Sequence, residues 1–111
     1  NDANTFHLAK VEADRILCIG SFYKEVCPEL VGGEQYRLRG MATEPERRGT
    51  GLGSELIQFA RAHLRTQKAD LLWCNARENA LPFYAKLGFT KQGSAFDIPG
   101  IGPHYLLWTK V

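Results

Sequence analysis

Arg47-Arg48-Gly49-Thr50-Gly51-Leu52-Gly53 is the stretch around which the rest of the chain is arranged. It follows an extended segment, Tyr36 to Thr43, that is ended by Glu44-Pro45-Glu46, and it opens a helix-patterned segment from Leu52 to about Thr66. Gly49, Gly51 and Gly53 leave one side of the turn without Cβ atoms, so a ligand can approach the backbone closely. The first N–H groups of a helix have no partner within it and lie at the positive end of its dipole, which makes an anion site. Arg47 and Arg48 add positive charge beside it. On these grounds the stretch reads as a phosphate or pyrophosphate cradle. It is not a Walker A loop, since no Gly-Lys-Ser/Thr follows, and glycines at alternate positions do not spell the dinucleotide-binding fingerprint. Taken alone, the glycines read equally well as a structural turn.

Working outward, Leu52, Leu56, Phe59, Ala60, His63 and Leu64 fall at helical spacing and are assigned to a sheet-facing side, with Glu55, Gln58, Arg61 and Arg65 elsewhere on the wheel. In the strand before the turn, alternation puts Tyr36, Leu38, Gly40 and Ala42 on one face and Arg37, Arg39, Met41 and Thr43 on the other. Upstream, Asn1 to Thr5 is polar and expected to fray. Phe6–Val11 and Ile16–Tyr23 read as strands joined by a hairpin turn at 12–15, with Gly20 marking a bulge or a close neighbour. The segment 24–34, containing Cys27-Pro28 and Gly32-Gly33, reads as a loop. Downstream, Ala69–Cys74 reads as a buried strand. Ala80–Leu87 reads as a short helix that tolerates Pro82 in its first turn and is ended by Gly88 as its C′ residue. Phe89–Phe96 and His104–Lys110 read as the last two strands. The order β-β-β-α-β-α-β-β predicts one α+β domain over residues 1–111, a mixed sheet with helices packed on it.

Composition narrows the function classes. At 111 residues, 44% hydrophobic and 23% charged, the chain suits one globular core. A formal charge of +2 is too small to imply nucleic acid. No apolar run approaches the roughly 20 residues of a membrane span, and no signal-peptide pattern opens the sequence. Cys18, Cys27 and Cys74 are widely spaced with no CxxC pair. They are expected to be reduced, mostly buried thiols in a cytoplasmic protein, with no metal site.

The second informative stretch is Asn75-Ala76-Arg77-Glu78-Asn79-Ala80-Leu81-Pro82-Phe83-Tyr84-Ala85-Lys86-Leu87-Gly88-Phe89. Together with Arg48-x-x-Gly51-x-Gly53 it resembles the GCN5-related N-acetyltransferases, and the chain looks like a compact, bacterial-type member. Arg48 to Gly53 matches that family's pyrophosphate motif, and Ala80-x-x-Phe83-Tyr84-x-x-x-Gly88-Phe89 its C-terminal helix motif. The resemblance covers Tyr36 to Val111, with Phe6 to Tyr23 as the family's central hairpin. It implies a mostly antiparallel sheet, splayed at the acetyl-CoA site between the strand before the glycine turn and the strand ending near Cys74. The pantetheine arm is then expected along Met41, Ala42 and Thr43. The pyrophosphate is expected on Arg48, Gly49, Thr50, Gly51, Leu52 and Gly53.

The resemblance also implies direct attack of a primary amine on the thioester of acetyl-CoA. Such a reaction needs a base or water chain, N–H donors for the oxyanion, and an acid for the leaving thiolate. Tyr84 matches the family's usual tyrosine acid, and a phenol of ordinary pKa near ~10 carries its proton at neutral pH. Packing between helix and sheet is its competing role. Glu44 is the candidate base, with an ordered water chain as the alternative; Glu44 and Glu46 read equally as acids favoured by a helix N-terminus.

Two departures stand out. Where many members carry an asparagine that bonds pantetheine, this chain has Arg77, flanked by Asn75 and Asn79, either of which could substitute. Arg77 could hold a substrate carboxylate or a CoA phosphate, or be a solvated surface arginine. The family's first strand and following helices are shortened or absent, so this is a compact member or a sequence that begins late; a partner chain, as in a homodimer, could supply the missing wall. His104 in the Gly102-Pro103-His104 loop could line the acceptor site, relay a proton, or be structural. The leading reading is an acetyl-CoA-dependent N-acetyltransferase for a small-molecule amine, with no nucleic-acid or membrane partner. The alternative is a catalytically silent CoA-binding sensor or subunit.

Overall fold

The computed structural model describes residues 5–47 and 49–111; of the start expected to fray, Asn1 to Thr5, residues 1–4 lie outside them, as does Arg48, while Thr5 opens the first strand. Eight main elements follow the predicted order: β1 Thr5–Glu12, β2 Arg15–Lys24, β3 Gln35–Thr43, α1 Leu52–Thr66, β4 Leu71–Arg77, α2 Leu81–Lys86, β5 Thr90–Ile98 and β6 Gly102–Lys110. The sheet runs β1-β2-β3-β4-β6-β5. Every neighbouring pair is antiparallel except β3–β4. The first hairpin closes on Ala13 and Asp14, with φ of 50° and 65°, the handedness that matches the twist of two antiparallel strands.

β4 begins at Leu71 rather than Ala69, because Lys68 and Ala69 finish α1 and the Asp70 N–H turns to the Glu34 carbonyl. Lys68 takes φ 59°, its N–H reaches the Arg65 carbonyl, and the Ala69 N–H reaches back to Leu64 at 3.0 Å. This is a Schellman ending without the usual glycine. α2 ends the same way, here on Gly88 as expected: its φ is 91°, and the Gly88 and Phe89 N–H groups bond the carbonyls of Ala85 and Tyr84.

Two apolar clusters cover the two faces of the sheet. The larger lies under α1 and α2 and takes Phe22, Tyr36, Leu38, Leu72, Cys74 and Leu107 from the strands. The smaller holds Leu71, Trp73 and Leu106 beneath Cys27 and Leu30 of the 25–34 loop. β4 sends alternate side chains into each cluster, which explains its unbroken apolar run.

Two expected facings are corrected. The buried stripe of α1 is Gly53, Leu56, Ile57, Ala60 and Leu64. Phe59 is 65% exposed. At roughly 100° per residue, Phe59 sits about 120° from the centre of that stripe, while Ile57 falls within it. His63 does pack, edge-on to Phe6 at 4.6 Å.

In β3, Ile19 and Ser21 of β2 pair with Ala42 and Arg39, so β3 carries one extra residue between them. Gly40, at φ 66°, absorbs it. The bulge reverses the alternation beyond it. Met41 therefore joins the cluster under α1 with Tyr36 and Leu38, and the Thr43 hydroxyl lies 3.4 Å from the buried Cys18 sulfur. The neighbouring Gly20 has the close contact its type suggested: a Cβ there would meet Leu56 at 3.0 Å.

The facing of α1 gives a direct test. Ile57→Ala is expected to cost about 2–5 kcal/mol in urea unfolding, and Phe59→Ser within about 0.5 kcal/mol. Equal losses would return Phe59 to the buried face.

Candidate active site

β3 and β4 pair only at Gln35–Leu71, Tyr36–Leu72 and Arg37–Trp73. Past those pairs the strands part, and the Gly40 bulge bends β3 further along. The gap opens into a cavity of about 490 Å³ whose walls include Met41, Cys74, Arg77 and Tyr84. A second cavity of about 810 Å³ shares Met41, Arg77, Asn79, Ala80 and Tyr84 with it and continues to Gly49, Gly51 and Gly53. The splay and the glycine turn thus belong to one groove.

The three glycines of the turn do different work. Gly49 and Gly51 have φ of 80° and 87°, and a Cβ on either would meet nothing within 4 Å. Their requirement is conformational: left-handed residues around a turn aim N–H groups to one side, as in anion-binding nests. At Gly53 a Cβ would stand 2.9 Å from Met41 and 3.2 Å from Phe83. Gly53 therefore lets α1 close on β3 and α2, rather than leaving room for a ligand. Gly51 is the N-cap of α1 and supplies no side-chain hydrogen bond. The first-turn N–H groups thus face the larger cavity with no capping side chain. An uncapped helix start, two glycines opening on free space, and Arg77 and Lys86 in the lining suit a phosphorylated ligand such as coenzyme A.

Tyr84 stands where the two cavities meet. It is 7% exposed and packs edge-on against Phe83 at 5.0 Å and Phe89 at 5.1 Å. Burial pushes its phenol well above the ordinary tyrosine value, and the neighbouring Cys74 adds to the shift. Burial also pushes the Cys74 thiol up to about 12, against a smaller opposing effect of its hydrogen bond with Tyr84. Both groups keep their protons through the neutral range.

His104 faces Arg77 across the β4–β6 pairing and lines the splay cavity. It is buried, and its Nδ1 lies 3.0 Å from the Gly102 carbonyl. A carbonyl only accepts, so Nδ1 carries the hydrogen and Nε2 of the neutral ring keeps a lone pair. Asn75 is half-buried in the splay wall, and Asn79 is exposed along both cavities. The N-cap of α2 is Ala80, without a side-chain bond, so Asn79 does not cap it.

Glu44 is not among the groove residues. Its carboxylate pairs with Arg15, and it lines a separate hollow with Ile16, Leu17 and Ala42. The chain turns there because the Glu44 N–H bonds the Leu17 carbonyl at 2.8 Å, tying it to the β2 side. Ala42 and Thr43 border both that hollow and the groove. Several groove residues were not singled out as site residues from the sequence, among them Lys86, Cys74, Ile98 and Ile101. Lys86, in the last turn of the Tyr84 helix, had a signal in its helical proximity to Tyr84. Cys74, Ile98 and Ile101 line the splay cavity through tertiary contacts alone.

The chain is similar to known proteins on three counts. The Acetyltransferase (GNAT) domain family matches residues 2–91. A protein of Bacillus subtilis (strain 168), the uncharacterized N-acetyltransferase YitI, is 40% identical over 104 residues, which span 94% of this chain and 70% of that one. Among solved structures, an aminoglycoside 6'-N-acetyltransferase complexed with coenzyme A superposes with a TM-score of 0.81 at 13% identity, over 98% of this chain and 74% of that one. Ard1 from Thermoplasma volcanium gives 0.74 at 20% identity, over 89% and 66%. The groove, the family match and the bacterial relative agree, and the chain belongs to the GNAT family of acetyl-CoA-dependent acetyltransferases.

Proposed function

We propose that the chain moves an acetyl group from acetyl-CoA to a primary amine of a small molecule by direct attack, with Tyr84 as the acid. The observation that carries this reading is the buried, protonated Tyr84 at the junction of the two cavities. Acetyl-CoA brings an activated thioester. The first-turn N–H groups of α1 with Gly49, Gly51, Arg77 and Lys86 would hold its phosphates, and Met41, Ala42 and Thr43 with Asn79 its arm. The amine nitrogen forms a bond to the thioester carbon, the C–S bond breaks, and the phenol proton of Tyr84 goes to the departing sulfur.

Cys74 is the one thiol in the lining of the splay cavity among the described residues, and its raised pKa leaves it a poor nucleophile. That supports direct attack over an acyl-cysteine. For the proton lost by the attacking ammonium, the Nε2 lone pair of His104 is the better acceptor on this geometry. Glu44, engaged by Arg15 on a different hollow, is left with a role at the end of β3. The aminoglycoside acetyltransferase of the same fold supports a small-molecule acceptor.

Three outcomes test the reading. Gly51→Glu puts a side chain and a negative charge into the cradle, and is expected to weaken acetyl-CoA at least about a hundredfold by calorimetry in a protein that still unfolds cooperatively. Unchanged affinity would remove the cradle. Tyr84→Phe is expected to lower kcat about a hundredfold in a thiol-release assay, with coenzyme A affinity held. Equal turnover would remove Tyr84 as the acid, and binding of acetyl-CoA without turnover of any amine would favour a sensor. Because its pKa is raised, the Tyr84 proton persists to higher pH than in a free tyrosine. The rate should therefore rise as the amine deprotonates and hold past about pH 10. A falling limb centred below about pH 9 would contradict that assignment.

A further inference from the structure

Beyond the splay, a third cavity of about 540 Å³ lies between β4, β5 and the 25–29 segment, walled by Trp73 and Phe96 and edged by Glu25, Glu29 and Gln92. Asn75 lines this cavity and the splay cavity alike, so the two spaces share one wall. Charge divides sharply between them. Among the described residues, the two groove cavities are lined by arginine and lysine with no carboxylate. The third is lined by two carboxylates with no cation. A polyanionic cosubstrate suits the first surface, and a cation suits the second.

Of the two carboxylates, Glu25 is already answered. Arg37 Nη1 donates to it at 3.0 Å while the guanidinium lies 4.9 Å over the Trp73 ring. Glu29 has only the Cys27 thiol, at 3.8 Å, and no ion pair among the described residues. The segment that presents it is held by built contacts. The buried Gln35 side chain accepts from the Cys27 N–H at 2.7 Å and donates to the Leu30 and Gly32 carbonyls, and Trp73 Nε1 donates to the Glu25 carbonyl at 2.8 Å. Glu29 is therefore an exposed carboxylate carried on a held backbone segment at the mouth of an aromatic-walled space.

That charge cannot serve the nitrogen that reacts. The attacking nitrogen must be neutral and stand at the splay, on the Tyr84 side of Asn75. We infer that Glu29, with Trp73 and Phe96, forms an acceptor subsite for a second cationic group, so that the favoured acceptors are primary amines carrying another ammonium or guanidinium on an apolar spacer. The spacer would lie against the Trp73 and Phe96 side chains that wall the cavity. This inference rests on the acetyl-transfer reading above.

Initial rates of thiol release at saturating acetyl-CoA test it with three probes of similar length: cadaverine, pentylamine and δ-aminovalerate. For the wild-type chain, kcat/KM for cadaverine should exceed that for pentylamine by about tenfold, carried mainly in KM. Glu29→Gln should bring the ratio to within about twofold. Glu29→Lys should invert the order of the charged probes, placing δ-aminovalerate above cadaverine. Amine turnover with the cadaverine-to-pentylamine ratio unchanged in Glu29→Gln would overturn the subsite and leave acetyl transfer standing. Acetyl-CoA binding with no release for any amine would overturn acetyl transfer, and the subsite with it.

Discussion

Two parallel strands that stay paired for only three residues set the form of this molecule. Each buried backbone N–H and carbonyl needs a partner. Past Arg37 and Trp73, β3 keeps β2 on its outer side and β4 keeps β6, but the edges they turn toward each other have no strand between them. The core of the sheet therefore contains an opening lined by hydrogen-bonding backbone. An extended ligand with amide groups can enter it as a strand would. The bulge at Gly40 both bends β3 and turns Met41 under α1, so the same extra residue shapes the gap and fills the space beneath it.

Around this opening, polar groups are tuned by what surrounds them. Tyr84 and Cys74 are held neutral by apolar burial, against Phe83, Phe89 and the cluster beneath α1. An acid is most useful where it keeps its proton until a strong base appears beside it, and a departing thiolate is such a base. The cations remain at the rim, where water screens them until a ligand excludes it. Two carboxylates, Glu25 and Glu29, line the cavity on the other side of Asn75, and Glu25 is paired there with Arg37.

Helix α1 carries a conflict between stability and binding. Its N-cap is a left-handed glycine with no capping side chain, a choice that forgoes a few tenths of a kcal/mol, on the order of 0.3, relative to serine or aspartate. The helix is secured elsewhere, by Leu56, Ile57, Ala60 and Leu64 in the core, by Gly53 against Met41 and Phe83, and by a Schellman ending on Lys68. Arg61 adds to this by bonding the Leu87 and Lys110 carbonyls. Firm packing along its length leaves the first turn free to be shaped for an anion.

Much of this was legible in the residues themselves. The element order, the glycine turn, the ending of α2 at Gly88 and the convergence of the turn with Tyr84 all follow from signals that act within a few residues: dihedral preference, helical spacing and motif order. What the sequence could not give is which way things face. Met41 changed sides because β2 sets the register of β3. Phe59 lies outside the stripe because the contact with the sheet centres on Ile57 and Ala60. Glu44 left the candidate site because Arg15, a neighbour only in space, holds it. Cys74 beside Tyr84, and the Glu29 cavity sharing Asn75 with the splay, join segments far apart in the chain. Local conformation is governed by adjacent residues and is written in their order. Facing, burial and charge pairing are governed by partners brought together only when the sheet closes, and those the tertiary structure alone decided.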